Sequence, residues 1–235
     1  MARSVPESST GKTGPTLTRQ ALARLTPERV HGGRNVSKAD VSFYRIEGLA
    51  IAVKDYGRRP FLARHTVGRY LVGRECRAYE RLGALPGLAP FLGRLGPFTL
   101  ATARLNAVPL ADLPRGAIGP EVFDRLDVVV ASIHARGVAI ADLHHRDVLV
   151  GAGGTVHVVD LAAAYVLGPR ATPLAQRIFG HLCAQDRLAA ARMRARFTGA
   201  SEGDALAALD PAAVRLWGAG RRVKAFWDRL RRKQD

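Results

Sequence analysis

The segment from Val138 to Asp160 places the strongest constraint on the fold of this 235-residue chain. It contains a short apolar run, the polar stretch ADLHHRD, the β-rich run VLV, the turn GAGG and the strand-like run TVHVVD. Glycine turns between β-branched runs are typical of paired strands. The pattern therefore predicts a polar loop followed by two strands, with aspartates on both sides of them.

The first half of the chain has a β-rich pattern with one helix. Two β-rich runs between Val41 and Asp55, separated by Glu47-Gly48, predict an antiparallel hairpin. Apolar residues at helical spacing predict a helix from Val67 to Gly83. Two further short strands are predicted between Phe91 and Leu105.

The second half is predicted to be mainly helical. A rise in proline, glycine and alanine content places a linker at about Ala103 to Pro114. Helices are predicted at Pro120 to Arg136, Pro173 to Phe197 and Pro211 to Arg232. We therefore expect the α+β class, with a flexible tail over residues 1–20, a small β-rich domain over 21–105 and a reduced, mainly helical domain over 106–235.

The chain is strongly basic, with 36 Lys and Arg against 20 Asp and Glu and a net charge of +16. Such a charge attracts nucleic acid, anionic membrane surfaces or phosphorylated substrates, and an arginine-rich genome would also produce it. We do not expect a nucleic-acid partner, because interleaved aromatic residues and a recognition-helix motif are missing from the sequence.

The cysteine positions and the hydropathy pattern indicate the cellular compartment in which we expect the protein. Cys76 and Cys183 lie far apart and outside any zinc-ligand spacing, so neither a disulfide scaffold nor a zinc module is expected. The N-terminal residues are polar, and the apolar runs are too short to cross a bilayer. We expect a cytoplasmic protein, and the sequence leaves its oligomeric state open.

The segment from Gly220 to Asp235 combines basic residues with Val223, Phe226, Trp227 and Leu230 at helical spacing. It is either a final helix packed on the second half or an amphipathic helix at an anionic membrane surface. The second interpretation would place the protein peripherally at the inner membrane.

Four charged residues follow one another in an informative order. Lys54 ends a predicted strand in AVKDY, and Glu75 lies on the next helix in GRECRAYERL. Asp142 in ADLHHRDVLV and Asp160 in HVVDLA flank the strand–turn–strand unit. This order resembles that of protein kinase-like enzymes, in which phosphoryl transfer depends on positioning and charge neutralisation.

More narrowly, the chain resembles the bacterial lipopolysaccharide kinase family, the Kdo and heptose kinases, which are related to RIO-type kinases. The resemblance covers about Val41 to Phe197 and rests on AVKDYGRRP, RECRAYERLGALPGLAPFLG, HARGVAIADLHHRDVLV, GTVHVVDLAAA and LCAQDRLAAARMRARF. It implies a kinase-like two-lobe fold, with a small β-rich N-lobe that carries one helix and a reduced, mainly helical C-lobe.

The resemblance also implies roles for individual residues. Lys54 would bind the α- and β-phosphates of ATP, and Glu75, rather than Glu80, would pair with it. Asp147 and Asp160 would hold Mg²⁺, which prefers hard oxygen ligands. Asp142 would orient the acceptor hydroxyl and take its proton.

Further positions follow from the same resemblance. His144 stands where many kinases have a lysine that contacts the γ-phosphate. Because Gly32-Gly33 precede the first predicted strand, the segment from Lys38 to Phe43 is expected to serve as the phosphate loop, with Lys38 at the nucleotide. Asp186 would anchor the catalytic loop, while His134 and His157 are expected to be structural.

This sequence departs from the kinase pattern at three places. Ile140 and Ala141 replace the histidine and arginine that usually precede the catalytic aspartate. Asp147 stands in the usual asparagine position, and the metal-binding segment is Asp160-Leu161-Ala162. These departures argue against an ordinary eukaryotic-type protein kinase.

The stretch after Asp160 indicates which class of molecule would accept the phosphoryl group. It contains no APE-like motif, and a helical pattern resumes by Pro173, which leaves little room for a peptide-docking segment. We therefore expect a glycolipid or small-molecule hydroxyl acceptor. The alternatives are a kinase of a soluble small molecule or protein, and a catalytically weak kinase-like binding module.

Overall fold

A computed structural model of the chain describes residues 17–33, 38–116, 118–199 and 201. Within them the protein combines one five-stranded antiparallel sheet, two smaller sheets and three long helices, so the α+β class is confirmed. The predicted helix from Pro211 to Arg232 and the basic segment from Gly220 to Asp235 lie outside the described residues.

The first half is built on the five-stranded sheet, whose strand order is β1-β2-β3-β5-β4. The strands are β1 (Arg29–His31), β2 (Asp40–Ile46), β3 (Leu49–Asp55), β4 (Phe91–Gly96) and β5 (Thr99–Ala103). A tight turn at Glu47 and Gly48, both with positive φ, joins β2 to β3. The predicted hairpins over Val41 to Asp55 and Phe91 to Leu105 are therefore confirmed.

A continuous helical segment crosses one face of this sheet. It comprises α2 (Phe61–Ala63), a π-helical segment (Arg64–Gly68) and α3 (Arg69–Leu82), and Gly83 ends it with a positive φ. The sequence predicts its later turns only, because Phe61 and Leu62 are exposed and add nothing to the amphipathic pattern. The short helix α1 (Arg19–Ala23) covers the opposite face through Leu22 and begins inside the predicted flexible tail.

The second half surrounds the helix α4 (Pro120–Ala135), which carries a buried apolar stripe. Its short strands are β6 (Ala107–Pro109), β7 (Val138–Ala139), β8 (Val148–Gly151), β9 (Val156–Val158) and β10 (Tyr165–Val166). Strands β6, β8 and β9 form one sheet, and β7 pairs with β10. The long helix α5 (Pro173–Thr198) packs on α4 and completes the core.

The predicted linker from Ala103 to Pro114 is wrong in its extent. Ala103 ends β5, and the stretch contains β6 and a 3-10 turn over Leu110–Asp112. Strand β6 pairs with β8, so the connection between the two sheets is limited to residues 104–106. Proline and alanine content misled the prediction because the partner that stabilises β6 lies about forty residues further along the chain.

The loop after α3 packs directly against the second half. Gly87 has a φ of 87°, and a Cβ atom there would collide with the side chain of Val129 on α4. Its carbonyl accepts a hydrogen bond from Val158 N at 2.8 Å, and Leu88 forms a bridge to the same strand. Glycine is required here by both the backbone conformation and the close approach.

Within the described parts of the chain, none of the helices combines the length and the apolar character that crossing a bilayer requires.

We predict that Leu126→Ala destabilises the protein by about 2–5 kcal/mol, because it opens a cavity under a fully buried helix position. Leu126 is 1% exposed, whereas Val128 on the same helix is 65% exposed. Val128→Ala is the matched control and should change the free energy of unfolding by less than about 0.5 kcal/mol. Urea denaturation measures both, and equal losses would contradict the described packing of α4.

Candidate functional site

Three side chains from distant parts of the chain meet in one ionic cluster. Lys54 Nζ lies 2.6 Å from Glu75 Oε1 and 2.9 Å from Asp160 Oδ1. Glu75 is 1% exposed, while Lys54 and Asp160 are 19% and 29% exposed. We call these three residues the Lys54 cluster. The predicted pairing of Lys54 with Glu75 is confirmed, and Glu80 is exposed.

Local periodicity explains why these side chains face one another. On β3, Ile51 and Val53 are buried in the cluster with Leu22, so the alternation turns Lys54 to the other face, on which α3 packs. On α3, Glu75 shares its face with the buried residues Val72, Tyr79 and Leu82. The spacing of three and four residues therefore places one carboxylate in an otherwise apolar stripe.

Electrostatics favour the charged forms of Lys54 and Asp160 within the Lys54 cluster. Burial alone would lower the pKa of Lys54, but Glu75 and Asp160 outweigh burial and raise it. Burial raises the pKa of Glu75, and Lys54 opposes that shift. Burial would also raise the pKa of Asp160, yet Lys54 holds it below its ordinary value. Lys54 therefore remains an ammonium ion at neutral pH.

Helix α3 also fixes the turn that follows β9. Leu161 N donates to Glu75 Oε1 at 3.2 Å, and Arg74 Nε donates to the carbonyl of Ala162 at 2.6 Å. Asp160 has a φ of 68°, and its Oδ1 accepts a hydrogen bond from Ala162 N at 3.2 Å. The carboxylate of Asp160 is thus held by its own turn as well as by Lys54.

Residues 140–147 form a loop, here called the aspartate loop, whose start is tied to α5. The carboxylate of Asp186 accepts hydrogen bonds from Ile140 N at 2.8 Å and Ala141 N at 2.9 Å. It also contacts His134 Nε2 at 2.9 Å. Ala141 has a φ of 66°, a conformation that a non-glycine residue adopts only when its surroundings hold it. The predicted anchoring role of Asp186 is confirmed, as is the structural place of His134.

The aspartate loop presents two carboxyl groups in different environments. Asp142 is exposed. Asp147 is half-buried, and its backbone donates to the carbonyl of His144 and accepts from Val159 N. Burial first, and repulsion from Asp160 second, raise the pKa of Asp147 to about 7.

The donor set around Asp147 and Asp160 fits a magnesium ion. Asp160 lies close enough to raise the pKa of Asp147, and burial makes ionisation of Asp147 less favourable without an added cation. Within the residues that the structure describes, no group of three or more His, Cys, Asp or Glu side chains forms a metal site. Two carboxylates suit Mg²⁺ nonetheless, because that ion usually keeps water and substrate phosphate among its ligands.

The segment from Lys38 to Phe43, expected to serve as the phosphate loop, is mostly strand, because β2 begins at Asp40. Gly32 and Gly33 directly follow β1, which pairs with β2, so the glycines lie in the β1–β2 connection together with Lys38. The sequence could not show this, because β1 is a three-residue strand with all side chains exposed and has no alternating pattern. Lys38 itself is exposed and lowers the pKa values of both Asp147 and Asp160, so its charge reaches the site.

Arg59 holds the base of the β1–β2 connection, a role that sequence reasoning missed. Its Nη2 lies 2.5 Å from Asp40 Oδ1, and its Nε donates to the carbonyl of Lys38 at 3.0 Å. Asp40 in turn accepts a hydrogen bond from Gly33 N at 2.8 Å. The only sequence signal was the cationic pair Arg58-Arg59 just after β3, which has no distinctive spacing.

His144 lies in the aspartate loop with its ring centroid 3.9 Å from that of His145. Burial and the nearby Arg146 lower the pKa of His144, so the imidazole is neutral at pH 7. It therefore differs in charge from the lysine expected at this position. His157 lies on β9, half-buried and away from the loop.

Comparison with known proteins gives no family assignment. No protein-family model matches the sequence, and a search of curated proteins finds no match. The geometry of the site is therefore the basis for a functional proposal.

We predict that Asp147→Asn changes how stability depends on pH in metal-free buffer. The folded pKa of about 7 exceeds the ordinary value of 3.8, so the folded state binds the proton more tightly and the free energy of unfolding falls as pH rises between these values. Between about pH 5 and about pH 8, the free energy of unfolding of the variant should therefore rise by about 2 kcal/mol relative to that of the wild type. Urea denaturation at both pH values measures this. Asp112→Asn alters an exposed carboxyl and should show no such gain; a pH-independent difference for Asp147→Asn would contradict the raised pKa.

We predict that Asp186→Asn destabilises the protein by about 2–3 kcal/mol, because one amide oxygen cannot replace two carboxylate oxygens that accept buried N–H groups. Hydrogen exchange should show the amides of Ile140 and Ala141 losing protection first. Asp124→Asn is the control, since Asp124 is 66% exposed and pairs with Arg194 at the surface; its cost should stay below about 1 kcal/mol. Unchanged protection at Ala141 would contradict the anchoring role.

Proposed function

We propose that this chain is an ATP- and magnesium-dependent phosphotransferase with a kinase-like two-lobe fold, whose acceptor is a sugar hydroxyl of an envelope glycolipid such as the lipopolysaccharide core. The proposal places it in the bacterial lipopolysaccharide kinase family. It also assigns residues 21–105 to the N-lobe and 106–235 to the C-lobe.

The observation that carries the proposal is the Lys54 cluster next to the anchored aspartate loop. A strand lysine, a buried helix glutamate and a carboxylate after a β-hairpin come from three separate elements, and both carboxylates lie within 3 Å of the lysine ammonium. Phosphoryl transfer needs such preorganised charge much more than it needs covalent chemistry. A purely structural ion pair would not require a second, partly exposed carboxylate on the same ammonium.

Each residue has a defined part in the reaction. Lys54, oriented by Glu75, binds the α- and β-phosphate oxygens, and Lys38 adds positive charge from the β1–β2 connection. Asp142 accepts a hydrogen bond from the acceptor hydroxyl. The hydroxyl oxygen forms a bond to the γ-phosphorus, while the bond from that phosphorus to its bridging oxygen breaks. ADP leaves with the electron pair, and the hydroxyl proton passes to Asp142 and then to water.

Asp147 and Asp160 would hold the magnesium ion. Bound there, Mg²⁺ neutralises the charge of the phosphates. Asp160 reaches this position already ionised, because Lys54 keeps its pKa low. Asp147 carries a proton in part of the molecules at neutral pH, so a cation that binds there displaces that proton.

The acceptor class is supported by the chain between Asp160 and α5. Residues 161–172 contain only the two-residue strand β10, so a long peptide-docking segment has no place there. The net charge of +16 suits an acceptor that is itself rich in phosphate and lies at an anionic membrane surface. We therefore favour a glycolipid over a protein substrate, with a cytoplasmic protein that acts at the inner membrane.

The test is transfer of label from γ-labelled ATP to an envelope glycolipid extract in the presence of magnesium. Asp142→Asn should reduce turnover by about 10²–10⁴-fold, because it removes the proton acceptor, and should leave nucleotide binding intact. Glu75→Gln should weaken nucleotide binding and turnover together, because Lys54 loses its orienting charge. Fluorescence titration with a labelled ATP analogue measures the binding.

Glu80→Gln is the matched control for Glu75→Gln, since both residues lie on α3 but only Glu75 is buried. It should retain wild-type turnover. Nucleotide binding without transfer to any hydroxyl acceptor would favour a kinase-like binding module. Labelling of wild type and Asp142→Asn at the same rate would overturn the proposed role of the aspartate loop.

A further inference from the structure

A cavity lies between the aspartate loop and α5. This cavity, here called the loop cavity, has a volume of about 450 Å³. The loop contributes Leu143, His144 and His145 to its lining, and α5 contributes Arg192, Met193 and Arg196. Its volume falls within the range of small-molecule sites.

We propose that the loop cavity is the acceptor subsite, and that it selects an acceptor bearing an anionic group, phosphate or carboxylate, in addition to the hydroxyl that is phosphorylated. The proposal rests on the phosphotransferase function and names the chemistry of its second substrate. The anionic group remains unchanged in the reaction and serves only to position the hydroxyl at Asp142.

The position of the cavity follows from chain connectivity. Asp142 directly precedes Leu143, the first residue of the lining. Asp186 on α5 binds the backbone of Ile140 and Ala141, so the loop wall and the helix wall of the cavity are tied to each other. Ala111 N donates to the carbonyl of His145 and fixes the other end of the loop wall. A molecule in this cavity therefore contacts the residues that directly follow Asp142 in the chain.

The charge of the lining selects an anion. Arg192 and Arg196 are four residues apart on α5, so both lie on the helix face that borders the cavity. Guanidinium groups bind carboxylate and phosphate through paired hydrogen bonds. None of the described lining residues is acidic. Arg194 lies between the two arginines but belongs to another face, where it pairs with Asp124 and Asp127.

The histidines complete the lining as neutral hydrogen-bonding groups. Burial and Arg146 lower the pKa of His144. His144 Nδ1 accepts a hydrogen bond from Arg146 N, which leaves its hydrogen on Nε2. Leu143 and Met193 are buried and supply an apolar floor for the carbon face of a sugar ring.

The test measures binding of three soluble probes to the full chain: glucose 6-phosphate, glucuronate and glucose. Saturating magnesium and a non-hydrolysable ATP analogue are present, so that the probes do not occupy the nucleotide site. We expect both anionic probes to bind more tightly than glucose. Arg196→Gln should weaken their binding by about 10- to 100-fold, because it removes a charge-assisted hydrogen bond, and should leave glucose binding unchanged.

Arg187→Gln is the matched control, since it removes the same charge from an exposed position on the same helix that does not line the cavity. It should leave all three affinities unchanged, and thermal melting verifies that both variants are folded. A parallel arm uses phosphatidylcholine vesicles with and without phosphatidic acid. Loss of vesicle binding on Arg196→Gln but not on Arg187→Gln would identify a lipid-borne phosphate as the anion; selective binding of soluble probes alone would identify a soluble acceptor.

Equal affinity for glucose and glucose 6-phosphate, or equal effects of the two variants, would overturn the loop cavity as an anion subsite while leaving the phosphotransferase proposal in place. Failure of the ATP analogue to bind, together with anion binding that depends on Arg196, would overturn the phosphotransferase function and with it the acceptor role. The two proposals therefore fail through different measurements.

Discussion

The contact between Lys54 and Glu75 is the interaction on which the rest of the site depends. A carboxylate that is 1% exposed would cost several kcal/mol without a cation beside it, so β3 and α3 must pack in the one register that brings Lys54 to it. The same Oε1 atom accepts from Leu161 N, which extends the constraint to the turn after β9. Glu75 Oε1 thus fixes strand β3, helix α3 and the turn after β9 relative to one another.

The site has a different electrostatic character from the molecule as a whole. The chain carries a net charge of +16, yet Asp142, Asp147 and Asp160 gather where Lys54 and Lys38 supply the nearby positive charge. Burial first, and repulsion from Asp160 second, account for the raised pKa of Asp147. A basic surface attracts phosphate-rich molecules in general, and in the proposed reaction the carboxylates would bind a phosphate through a divalent cation, beside the direct contact from Lys54. In the proposed reaction, the basic surface would capture the substrate and the carboxylate centre would activate it.

Periodic local patterns predicted the elements that carry the site, and long-range contacts determined what the sequence missed. The family resemblance favoured Glu75 over Glu80, and the motif order located Asp142, Asp160 and the anchor Asp186. Strand β1 is exposed and β6 depends on its pairing with β8, so neither has a sequence pattern of its own. The role of Arg59 and the cavity beside Arg196 depend on residues that meet only in the folded chain.

The left-handed conformation of Ala141 bears on the order in which the molecule assembles. An alanine in this region lies about 1–2 kcal/mol above its ordinary conformations, and here the hydrogen bonds to Asp186 offset that cost. Asp186 arrives only with α5, the last described helix of the chain, 45 residues after Ala141. During synthesis on the ribosome, residues 140–147 therefore emerge before the group that shapes them. The newly made N-terminal part can form its sheet early, but we expect it to remain inactive until α5 has docked.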